Sequence, residues 1–245
     1  MEPMTVTARL EAGVAHAGPW GIALDGLLAS VLHMRAKAQL LAEGGEHTPL
    51  IEQRDVEDLD LPLARCGCGD DWHWAATCAW PGERARSQPP EAVAWYSRPD
   101  HRHLVDLTGD DLRQHVDEDS GRYRRYAMPL LVTLTDALVW RAVGDVDEVR
   151  ALLSGVQAIG KKRSTGHGRV LGWSIEPAHE LDEWSAAHTH PDQTLGRPVP
   201  GSCLQLAAAT ALTAEPPEGT AGIRPPYSHP SRRRRLLLPI LDPPS

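Results

Sequence analysis

Residues Val146 to Ile175, VDEVRALLSGVQAIGKKRSTGHGRVLGWSI, constrain this chain more than any other stretch. Acids stand early and Arg150 late in a run with helical spacing, Gly155 offers a C-terminal stop, and Arg169 to Ile175 alternates as a strand. A helix is therefore joined to a strand by a loop holding Gly160, Gly166 and Gly168 with Lys161, Lys162, Arg163 and Arg169. The loop fails two nucleotide signatures. A P-loop needs Lys and a hydroxyl residue after its second glycine, whereas His167 and Gly168 follow Gly166. The dinucleotide fingerprint fails on its last spacing, and the loop precedes a strand instead of linking strand to helix. What remains is a close-approach loop whose cations suit a sugar-phosphate backbone.

The rest of the chain supplies the matching elements. Thr5 to Ala15 alternates as a first strand, and HAGPWG then breaks the pattern. A helix follows, with Asp25 as expected N-cap, apolar positions from Leu27 to Leu41 at helical spacing, and Gly44 and Gly45 as its stop. Trp72, Trp74 and Ala76 have strand period, MPLLVTLTDALVW reads as a buried strand, and Cys203 to Ala214 reads as one more. Strand, helix, strands, then strand, helix, glycine loop, strand is an α+β order with the rhythm of a ferredoxin-like, RRM-like fold. The expected core is residues 1–176 with an inserted β-rich arm, followed by a C-terminal extension over 177–245.

The formal charge is −8, so a polyanion would have to be held by local patches. The charge is segregated accordingly. Gly121 to Trp173 carries nine Lys or Arg against four Asp or Glu, and Ala42 to Asp60 carries seven acids against Arg54 alone. Within the basic half, GRYRRY interleaves Arg122, Arg124 and Arg125 with Tyr123, pairing phosphate-binding groups with stacking platforms. SRRRR adds Arg232 and Arg233 in the tail. No run approaches a membrane span, the N-terminus lacks signal-peptide character, and four cysteines do not form a secreted framework, so a cytoplasmic protein is expected.

Cys66, Cys68, His73 and Cys78 could offer zinc ligands, but they lack a paired CxxC pattern, and no metal or other cofactor is expected. His167 reads as a contact to phosphate or base. His179, His188 and His190 read as surface residues. No catalytic residue is assigned.

The glycine loop behind its helix, together with PWGIALDGLLASVL from Pro19 to Leu32, resembles the RAMP superfamily of CRISPR-associated RNA-binding proteins. Length, WHWAATCAWP and GRYRRYAMP most resemble the subunit of type IV complexes that caps the five-prime handle of the guide RNA. The resemblance implies a RAMP fold and a non-catalytic subunit that binds crRNA through its handle. Its implied partners are backbone subunits and a large subunit, with target nucleic acid met indirectly and no membrane. Carried onto this sequence, the RNA-binding residues are Trp20 and Gly160, Lys161, Lys162, Arg163, Ser164, Thr165, Gly166, His167, Gly168 and Arg169. The alternative is a RAMP-type endoribonuclease that processes the crRNA precursor.

Overall fold

A computed structural model describes residues 1–16, 20–54, 56–67, 71–82, 85, 88, 90–97, 126–163, 166–206 and 212–240. Its centre is the alternating strand β1 (Glu2–Leu10), which buries Met4, Val6, Ala8 and Leu10 on one face. β1 pairs antiparallel on one side with β7 (Ala137–Gly144) and on the other with β8 (Val170–Pro177). A helix, α2 (Val146–Leu153), crosses between those two outer strands, so β1 lies inside a split β-α-β unit. On its other side β7 is met by single bridges at Leu63, Ala76 and Trp80.

The helices cover this sheet because their apolar positions share a face. α1 (Leu24–Ala42) buries Leu24, Leu28 and Ala29, and α2 buries Val146, Val149, Leu152 and Leu153. Asp145 caps α2 by accepting from the backbone N–H groups of Asp147 and Glu148 at 3.0 and 2.9 Å. Trp140 is fully buried in the shared core, and its indole donates to the carbonyl of Ile22 at 2.7 Å. The architecture is α+β.

The first expected strand divides. Residues Glu11–Gly13 turn the chain out of β1 into β2 (Val14–Ala15), which joins a second antiparallel sheet with β6 (Tyr126–Thr133) and β5 (Glu91–Ser97). A Cβ on Gly13 would stand 2.5 Å from the carbonyl oxygen of Thr133, so glycine permits that crossing. The buried strand read in MPLLVTLTDALVW divides as well. Thr135 ends β6 by donating to the carbonyls of Pro81 and Ala137 at 3.0 and 2.7 Å, and β7 then enters the central sheet. An apolar run cannot reveal such a switch, because both halves are half-buried strands.

The C-terminal extension packs into the molecule. α3 (Glu183–His188) lies on β7 and β1, burying Ala186 and Ala187 against Ala75 and Val143. The strand expected from Cys203 begins as a helix, α4 (Gly201–Leu206), and the hairpin of β9 (Glu218–Gly222) and β10 (Arg233–Leu237) closes the described chain. Two short strands, β3 (Arg65–Cys66) and β4 (His73–Trp74), form a separate hairpin in which Cys66 pairs with His73.

Candidate nucleic-acid interface

The glycine loop is anchored at its stem by the bridge between Ala158 and Arg169 and docks on the turn between β1 and β2. Gly168 N–H donates to the carbonyl of Gly13 at 2.9 Å, and Lys161 N–H donates to that of Ala15 at 2.7 Å. The contacts are possible only without side chains. Gly160 and Gly168 have φ of +84° and +72°, and a Cβ would lie 2.3 Å from the Ala15 carbonyl oxygen and 2.0 Å from that of Ile159. The close approach made by these two glycines is therefore to the chain itself. Gly166, at φ +91°, faces open space.

That docking fixes where the cations point. Lys161 and Arg163 are exposed and line a groove of about 690 Å³ whose other walls are Trp20, the start of α1 and the β9–β10 hairpin, including Arg233. Among the described residues no carboxylate lines it, on a chain whose formal charge is −8. Trp20 packs its ring beside the cluster of Ala221, Ile223 and Leu236, so a half-buried indole is held at the groove wall. Cys78, Ile159 and Gly160 also line it.

The remaining expected contacts are distributed elsewhere. Lys162 adopts a left-handed backbone, φ 53°, and its ammonium sits 3.2 Å from the centroid of the Trp95 ring on β5. Arg169 faces Glu11 at 3.2 Å, and His167 is half-buried. Arg232 is 5% exposed, donates to the carbonyl of Val56 and pairs with Asp58 at 2.8 Å, so its charge is held within the fold. Arg234 pairs with Asp71 and Arg235 with Glu218, which leaves Arg233 as the member of the tail run that reaches the groove. Ser164, Thr165, Arg122, Tyr123, Arg124 and Arg125 lie outside the described residues.

Beneath the groove, Asp25 is fully buried and does not cap α1, whose N-cap position is Ala23. Its carboxylate accepts from the Tyr227 hydroxyl at 2.6 and 2.7 Å and faces the Arg197 guanidinium at 3.4 Å. Burial, and then the neighbouring Asp25 carboxylate, push the Tyr227 phenol well above its usual value. Arg197, 1% exposed, also donates to the carbonyls of Trp74, Ala76 and Ile223. Neither Arg197 nor Tyr227 carries a local signature, because their partners lie far away in sequence.

The expected histidine surface holds only for His179. His188 and His190 are 3% and 6% exposed, drawn inside because α3 packs on the central sheet. Of the four residues weighed as metal ligands, Cys68 lies outside the described residues. Cys78 is buried, and burial raises its thiol to about 12. Cys66 and His73 stand together, but with His188 and Cys203 as their neighbours.

The family model for Csf3, described as CRISPR type IV associated protein Csf3, matches residues 2–232. The chain belongs to the Csf3 family. No curated protein matches it. Family membership makes the chain a type IV CRISPR-associated protein and implies a CRISPR complex with other subunits. Among the described residues, no helix is long and apolar enough to cross a membrane.

Proposed function

We propose that this Csf3-family chain is a non-catalytic subunit of a type IV CRISPR ribonucleoprotein that binds the five-prime handle of the crRNA in the groove beside its glycine loop. One observation carries the reading. Trp20, Lys161, Arg163 and Arg233, from three separate parts of the chain, line a single groove to which no described residue contributes a carboxylate. Cations neutralise phosphates without reading sequence, and an indole offers a face on which a base can stack. The split β-α-β sheet with its glycine loop supports a ferredoxin-like, RAMP-type core. Exposed apolar side chains on β6 and α1, among them Met128, Leu131 and Leu41, suit burial against backbone and large subunits. Pairing of the guide would then select the target, and this protein would meet it only indirectly.

The test is a salt titration of handle RNA binding. Lys161→Ala with Arg163→Ala is expected to weaken binding and flatten the salt slope by about 0.7 for each lost single-strand phosphate contact. Arg35→Ala, an exposed cation of α1 outside the groove lining, should leave both unchanged. Equal affinity and slope for the double variant would reject the groove. Repeat RNA should stay intact during incubation with the protein, with or without magnesium, and site-specific cleavage would favour the precursor-processing endoribonuclease instead.

A further inference from the structure

Two soft ligand pairs converge from opposite ends of the chain. The β3–β4 hairpin presents Cys66 and His73 side by side as cross-strand neighbours, and the C-terminal extension brings His188 from the end of α3 and Cys203 from α4. Their ligand atoms all lie within 4.8 Å of one another, and three of the four residues are buried. The two sulfurs are 3.2 Å apart, the two Nε2 atoms are 3.0 Å apart, and Cys203 Sγ lies 3.9 Å from His73 Nε2.

These separations correspond to the edges of a coordination tetrahedron. Metal–sulfur and metal–nitrogen bonds of about 2.3 and 2.0–2.1 Å place ligands about 3.3 Å (N···N), 3.5 Å (S···N) and 3.8 Å (S···S) apart. These three edges differ from the tetrahedral values by about 0.6 Å or less, and all six lie within 4.8 Å. His188 is oriented for the role: its Nδ1 lies 2.9 Å from the carbonyl of Trp184, so Nδ1 carries the proton and the Nε2 lone pair faces the cluster. Its ring is also stacked on Trp184 at 5.2 Å between centroids. Two thiolates neutralise a divalent cation completely, so the loaded centre would add no net charge to a buried site.

We propose that Cys66, His73, His188 and Cys203 bind one structural zinc ion, which ties the C-terminal extension to the β3–β4 hairpin. A Cys₂His₂ tetrahedron with four protein ligands is closed, so the ion serves folding and activates no water. The ligand set joins residues 66 and 203 across most of the chain. Spacing rules miss it because they look for ligands close together in sequence, and of the two in the C-terminal extension His188 reads as surface and Cys203 as the start of a strand.

The experiment is elemental analysis of full-length protein purified natively from zinc-supplemented cells and exchanged through a mild chelator. One zinc per chain is expected, with a large loss of bound zinc in Cys66→Ser and in Cys203→Ser. If those variants fold poorly, the wild-type chain carries the test alone. Thiol modification with a mercurial should release its zinc to a chromophoric chelator, and cobalt replacement should give thiolate-to-cobalt absorption. Zinc well below one per chain, stoichiometric iron in its place, or a Cys66–Cys203 disulfide in protein trapped under native conditions would each overturn the proposal. So would a folded Cys203→Ser protein that retains its zinc.

Discussion

Arg197 is the residue whose chemistry is most constrained by its surroundings. A guanidinium 1% exposed is tolerable only because Asp25 and four backbone carbonyls accept its hydrogen bonds, and Tyr227 completes the shell around the carboxylate. Arg197→Met should therefore cost about 3–5 kcal/mol, since it leaves the Asp25 charge buried without compensation. Urea denaturation measures this, and Asp25→Asn in the same chain should recover part of the loss. A cost within the ordinary range of surface substitutions would show that the pair is not energetically coupled to the fold. From sequence, Asp25 reads as a helix cap. The helix begins two residues earlier than that, at Leu24 with Ala23 as its N-cap, which turns Asp25 inward toward a partner 172 residues away.

At the scale of elements, α2, the glycine loop and β8 were legible because each is specified locally. Asp145 caps, the apolar residues of α2 recur at helical spacing, and the loop closes within 12 residues on the Ala158–Arg169 bridge. The destination of the loop was not legible, since the docking surface belongs to the β1–β2 turn. Glycine substitutions separate the two kinds of constraint. Gly166→Ala meets no neighbour, so only its left-handed backbone opposes the change, at roughly 1–2 kcal/mol. Gly168→Ala must also relieve a Cβ placed 2.0 Å from the Ile159 carbonyl oxygen and should lower the melting temperature distinctly more. Equal melting temperatures would mean that the loop lifts from the turn at little cost. The tail arginines teach a related lesson. Composition marks four equivalent cations, yet strand alternation and Asp58, Asp71 and Glu218 give Arg232 to Arg235 four different environments.

For the whole molecule, composition changes near Pro177. Ala186, Ala187, His188 and Arg197 after that point are as buried as the core before it. A chain ending at Pro177 would expose the Asp25 site and the faces of β1 and β7 that α3 covers. It should show no cooperative unfolding transition by circular dichroism, whereas full-length protein should show one. A sharp transition in the shortened chain would establish 1–177 as an independent unit.

The separation between Asp25 and Arg197 also has a meaning in time. At roughly 5–20 residues per second, a ribosome needs roughly 10–35 s after making Asp25 to supply the residue 172 positions later. During that interval the carboxylate lacks its guanidinium partner. The β10 wall of the groove is synthesised later still. A nascent chain thus lacks the complete groove until the β9–β10 hairpin has been made.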